Sequence, residues 1–198
     1  MKNITHFKTA MLQATVIAAV LVGTSCSSNH DKKDTKDVAE EHNEKKFDDT
    51  DKEDDAKFLV NAAEINLEEI LLGKLAQHNS TVTDVRELGK MMEVEHTKCL
   101  NDLTNLANEK SISIPTSATD NAQDAYKKLS DKSGNDFNKA YCDMMVKGHK
   151  DAIEMFEKES LKSNDTDIKE WAIATLPDLR RHLDHAIKCQ KECEKMKP

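Results

Sequence analysis

From Asp55 onward the apolar residues recur at intervals of three and four, the period of a helix face and not the alternation of a strand. Phe58, Ala62, Ile65, Leu72 and Ala76 mark a first stripe, over about Asp55 to His78. After the polar break Asn79-Ser80-Thr81, a second stripe runs through Leu88, Met92, Cys99, Leu103 and Leu106 to about Lys110. Gly134 opens a third stripe, with Phe137, Tyr141, Met145, Ala152 and Phe156. Beyond Ser163-Asn164-Asp165 a fourth carries Ile168, Trp171, Thr175, Leu179, Leu183 and Ala186, with Pro177 inside it. The 198 residues include only 5 glycines and 3 prolines, so long helices are supported and turn-rich sheets are not. An all-α fold follows.

The connection between the first two stripes is short, as is that between the last two, so each pair forms an antiparallel hairpin. The pairs are joined by Ser111 to Ser133, a stretch that contains Pro115 and a short helical pattern over Asp120 to Ser130. That is long enough to run the height of a bundle, and it predicts a ferritin-like four-helix bundle with one long crossover. A three-helix relative with a loosely docked fourth helix is the competing arrangement.

The N-terminus has a different composition. Lys2, His6 and Lys8 precede an apolar run from Ala10 to Val22, too short for a bilayer core that takes about 20 residues, and Gly23-Thr24-Ser25-Cys26 follows. Residues 1–26 read as a signal peptide ending in a lipoprotein-type cysteine. Cys26 would be acylated, placing the protein in the cell envelope with the membrane as a partner; cleavage without lipidation and a plain membrane anchor are the alternatives. Residues 27–54 hold eleven acids and six lysines with little apolar surface, and are expected to form a disordered acidic tether. The bundle domain then spans 55–198.

Each bundle helix turns one polar group inward. His96 lies within about 40° of Met92, Leu100 and Leu103 around its helix. His149 is flanked by Met145, Ala152, Ile153 and Phe156, His182 by Leu179 and Ala186, and Glu69 shares the face of Ala62, Ile65, Leu72 and Ala76. Depth along the bundle is a second criterion. His149 and His182 stand about 15 and 18 residues from their shared turn, a mismatch of about 4–5 Å, whereas Glu69 and His96 stand about 11 and 16 from theirs, a mismatch near 7 Å. Glu69, His96, His149 and His182 are therefore the candidate metal ligands, with Glu93, Glu95 and Asp178 as candidate orienting groups around them. Glu93-Val94-Glu95-His96 has the Glu-x-x-His spacing of di-iron bundles, but no second copy exists, so a mononuclear ion of Fe, Cu or Zn is the expectation. Core histidines that merely hydrogen-bond a neighbour would give the same pattern.

The stretch from about Asp55 to Lys188 resembles an exported, ferritin-like bacterial family of unknown function, often described as predicted outer-membrane proteins. The resemblance rests on Phe58-Leu59, Glu69 to Ala76, Met92 with Glu95-His96, Ile114-Pro115, Tyr141 with Met144 to His149, and Leu176-Pro177 followed by His182. The family usually has Asp where this chain has Glu95, and glycines where it has Ile65 and Asn66. The resemblance implies a fold, an exported location and a metal- or stress-related role, and no reaction.

Four cysteines besides Cys26 remain: Cys99, Cys142, Cys189 and Cys193. Cys142 stands seven residues before His149 and Cys189 seven after His182, which puts both on the histidine face and makes them neighbours. A Cys142–Cys189 disulfide is expected there; buried free thiols, or a soft-metal site with Cys193, are the alternatives.

Lys and Arg total 29 against 37 Asp and Glu, a net charge of −8, which excludes nucleic acid as a partner. Neither a nucleophile beside a base nor a phosphate-binding glycine loop is present. The expected function is a metal-binding exported lipoprotein; the alternative is a non-enzymatic envelope protein whose bundle presents a surface to a protein partner.

Overall fold

A computed structural model of the chain describes residues 33–47 and 51–196. The expected signal peptide, Cys26 and the first part of the expected tether lie outside them. The described residues form six α-helices: α1 (Thr35–Phe47), α2 (Asp51–Asn79), α3 (Thr83–Lys110), α4 (Asp120–Ser130), α5 (Gly134–Lys162) and α6 (Thr166–Lys195). Local chemistry sets several of these limits. Thr119 caps α4 by accepting from the Ala122 amide at 3.3 Å, and Asp165 caps α6 by accepting from Asp167 and Ile168 at 3.0 and 3.2 Å. No helix among the described residues is long and apolar enough to cross a membrane.

α2 pairs with α3 and α5 with α6, and polar contacts show which ends meet. Ser80, in the turn of the first hairpin, donates to Asn138 near the start of α5 at 2.7 Å. At the other end, Ser163 in the second turn donates to Asp55 of α2 at 2.8 Å, and Lys110 at the end of α3 pairs with Asp165 and Asp167 at 2.7 and 2.6 Å. The connection through α4 therefore carries the chain the full height of the helical bundle. Within the first hairpin the helices touch backbone to backbone. A Cβ on Gly73 would sit 2.6 Å from the Gly89 carbonyl oxygen, and one on Gly89 would sit 2.7 Å from that of Gly73, so both positions require glycine for this approach.

The core falls into two apolar clusters. One contains Phe58, Leu103, Phe156, Ile168 and Leu179, with Phe58, Phe156 and Trp171 in mutual edge or tilted ring contact at 5.0–5.8 Å. The other contains Leu72, Met92, Phe137, Tyr141, Met145 and Ala186. On each of the four long helices, a buried polar residue lies between the residues of the two clusters: Asn66 on α2, His96 on α3, His149 on α5 and His182 on α6. A polar layer thus cuts the apolar core across its middle.

The acidic stretch before the bundle departs from the expected disordered tether, because residues 35–47 are the helix α1. Its docking is largely polar. Asn43 donates to the Ser113 carbonyl and accepts from the Ser113 amide, both at 2.8 Å, and Asp34 accepts from the Asp120 amide at 2.6 Å. Lys36 pairs with Glu64 of α2, and Ala39 and Phe47 supply the small apolar contact. Apolar content alone therefore understated what this segment can bind to.

Candidate metal centre

The three expected histidines come together. Their ring centroids lie 5.5 Å (His96–His149), 5.2 Å (His96–His182) and 5.4 Å (His149–His182) apart, and one nitrogen of each lies within 4.8 Å of the others. All three side chains are buried, at 1–3% exposure. The facing rings are also neutral at ordinary pH. Burial pushes His149 down to about 4, with His182 adding to the effect. Burial also lowers His96 well below its ordinary value, assisted by the other two rings, and lowers His182 against the opposing pull of Glu95.

The tautomer of each ring follows from what its outer nitrogen touches. His149 Nδ1 meets the Met145 carbonyl at 2.9 Å; a carbonyl only accepts, so Nδ1 carries the proton and Nε2 the lone pair. His96 Nδ1 meets Asn66 Oδ1 at 3.0 Å. The Asn66 amide is oriented by its Nδ2, which donates to the Ala62 carbonyl at 2.7 Å, so its oxygen must accept from His96 and leave the lone pair on Nε2. His182 Nε2 meets Glu95 Oε2 at 2.8 Å. Glu95 is ionised, held down to about 2 chiefly by the hydrogen-bonded Arg181 guanidinium, so His182 donates from Nε2 and keeps its lone pair on Nδ1. His96 Nε2, His149 Nε2 and His182 Nδ1 are buried and have no hydrogen-bond partner among the described residues. Three lone pairs therefore converge, and each ring is oriented from behind as metal-ligating histidines are.

The other expected site residues are placed differently. Glu69 lies outside the trio: its Oε1 is 3.6 Å from His149 Nδ1, the outer nitrogen, and it packs against Gly148. Burial raises the Glu69 carboxyl well above its usual range and lowers His149, so both shifts oppose an ion pair at this contact. Its Oε2 and the nearby Tyr141 hydroxyl are further buried atoms without a hydrogen-bond partner among the described residues. Glu93 accepts from Gln77 at 2.8 Å and does not brace His96. Glu95 braces His182 across the helices and not the adjacent His96. Asp178 acts one step further out, accepting at 2.8 Å from the Arg181 that grips Glu95. Asn66, absent from the expected ligand and orienting sets, takes the place on α2 assigned to Glu69. Depth is the signal for it: Asn66 stands about 14 residues from the turn against about 16 for His96, a mismatch near 3 Å, less than half that of Glu69.

A cavity of about 470 Å³ between α3 and α6 reaches the layer from outside, with His96, His182, Glu95, Trp171 and Arg181 on its walls. Further along α5 and α6 the cysteines form a second group. Cys142 and Cys189 are neighbours as free thiols, their sulfurs 3.1 Å apart against the ~2.05 Å of a disulfide, and Cys193 is a third thiol 4.0 Å from Cys142.

The fold and this layer define a helical-bundle domain with a histidine-rich polar core. Residues 33–188 match the family described as Domain of unknown function (DUF4142), and the chain belongs to that family. The match begins ahead of α1, so α1 is part of the domain. No curated protein and no solved structure matches the chain.

Proposed function

We propose that this protein binds a single transition-metal ion through His96 Nε2, His149 Nε2 and His182 Nδ1. The observation that carries this reading is the convergence of three buried, unpartnered lone pairs whose rings are each braced from the outer side. Leaving such atoms unpaired costs about 1–3 kcal/mol each, an expense that a purely structural bundle would avoid with apolar side chains. The all-nitrogen donor set suits Zn(II) first, with copper and Fe(II) next, and it differs from the carboxylate-rich set of di-iron bundles. Three protein ligands leave a fourth position, and the cavity between α3 and α6 gives water or a small molecule a route to it. The two hairpins and their full-height crossover support a ferritin-like reading of the bundle. The signal-like run ending at Cys26 supports an acylated protein of the cell envelope.

The test is metal content of the full chain, purified without a histidine tag, beside the His96→Ala, His149→Ala, His182→Ala triple variant. Near-stoichiometric metal in the first and none at this layer in the second is expected. A well-folded wild type that stays metal-free after incubation with Zn(II), Cu(II) and Fe(II) would favour the alternative, an envelope protein acting through its surface.

A further inference from the structure

We infer that Cys142, Cys189 and Cys193 form a second, all-sulfur metal site that takes a single Cu(I) ion. The cluster is separate from the histidine layer: it lies seven residues away on both α5 and α6, roughly 10 Å along the bundle. Two helices build it. Cys189 and Cys193, four apart on α6, point to the same side, and Cys142 faces them from α5.

The geometry is close to that of a three-coordinate site. Metal–sulfur bonds of about 2.3 Å hold three sulfurs about 4 Å apart in a trigonal plane. Here Cys142 Sγ lies 4.0 Å from Cys193 Sγ and 3.1 Å from Cys189 Sγ, and all three sulfurs are within 4.8 Å of one another. Opening the Cys142–Cys189 pair by just under 1 Å brings it to that spacing, and Cys193 is within 4.8 Å of both sulfurs. The cysteines are 0%, 4% and 0% exposed, and among the described residues only sulfur belongs to the cluster. Soft thiolates select soft ions. Zn(II) in a closed site takes four ligands, and this cluster offers three, a number that Cu(I) accepts.

An approach also exists. A cavity of about 250 Å³ has Cys189 on its wall together with Asp84, Glu87, Met91, His185 and Lys188, so two carboxylates, a thioether and an imidazole stand against one lysine as donors for an arriving cation. In the resting protein the Cys142 thiol donates to Cys189 at 3.1 Å, so the two sulfurs already face each other. On uptake, each sulfur gives its proton to solvent and its lone pair to the ion. Copper stays monovalent, so no electron is transferred, and binding tightens as pH rises.

The full chain, reduced and metal-free, is titrated anaerobically with Cu(I) against a coloured Cu(I) chelator, following copper retained per chain and the ultraviolet sulfur-to-copper charge-transfer band. One retained equivalent with that band is expected. Cys142→Ser, Cys189→Ser and Cys193→Ser should each weaken retention at least tenfold, while Cys99→Ser should leave the band in place. Should the serine variants fail to fold, X-ray absorption at the copper edge of the one-equivalent wild type decides, with three sulfur neighbours expected. A nitrogen-only shell, copper stripped completely by the chelator, a band unaffected by the three substitutions, or displacement of Cu(I) by equimolar Zn(II) would each overturn the assignment. The sulfur-to-copper band and its loss in the serine variants belong to the cysteine site alone, because copper held by the histidine layer carries no such band.

Discussion

The histidine trio and the cysteine trio share α5 and α6, yet their polar atoms are satisfied in opposite ways. Each imidazole is held from outside, by Asn66, Met145 or Glu95, and points an unpaired nitrogen at the other two. The thiols turn to one another, with Cys142 donating to Cys189 and Cys193 alongside. A thiol is a weak donor and a weak acceptor, so three of them rest in an apolar setting at little cost. An imidazole with an unpaired buried nitrogen does not. The contrast explains why the histidine layer needs a braced surround drawn from every long helix, while the cysteine cluster needs only two helices and packing.

Acid should separate the two layers most sharply. The unfolded chain protonates its histidines near pH 6.5, whereas folded His149 does so only near 4, and His96 and His182 are also lowered. Between those values the trio binds more protons unfolded than folded, so its contribution to stability falls as pH falls from 6.5 and is lost below the folded values, while the raised carboxyl of the neighbouring Glu69 contributes in the opposite sense. Above 6.5 the trio adds no pH dependence. His149 alone contributes a loss of about 3 kcal/mol across the window. Urea unfolding of metal-free protein at pH 7 and pH 5 measures this, and His149→Gln should flatten the slope; an unchanged slope would remove the neutral buried ring from the account.

Bracing comes next in size. Glu95→Ala leaves all three ligands in place but frees the His182 tautomer, and should weaken metal binding about 10–100-fold. Competition with a chelator reads the change, and an affinity equal to wild type would mean that the Arg181–Glu95 arm does not orient the ring. The smallest effect is expected at the helix contact that brings Asn66 to His96. Gly89→Ala must push its methyl away from the Gly73 carbonyl and should cost about 1–2 kcal/mol in a denaturant titration, with a lesser loss of metal affinity.

Much of this was legible in the sequence, for identifiable reasons. The helix limits follow from three-and-four spacing interrupted by Asn79-Ser80-Thr81 and Ser163-Asn164-Asp165, and the short helix over Asp120 to Ser130 stands where its pattern put it. The histidines could be assigned inward because each shares an apolar face. What escaped depends on contacts between helices. Glu95 is adjacent to His96 in the chain but turns to His182, and a polar asparagine on α2 matches His96 in depth better than the more conspicuous Glu69. The α1 helix escaped because Asp34, Lys36 and Asn43 attach it by charge and hydrogen bonds, which a count of apolar residues does not register.

The central claim is that three lone pairs meet on one ion. Anomalous diffraction from crystals of the full chain grown with one equivalent of Zn(II) tests it in place. A single strong peak bonded to His96 Nε2, His149 Nε2 and His182 Nδ1 is the predicted result; a map with no peak between the rings, and with each inner nitrogen hydrogen-bonded to water, would contradict it.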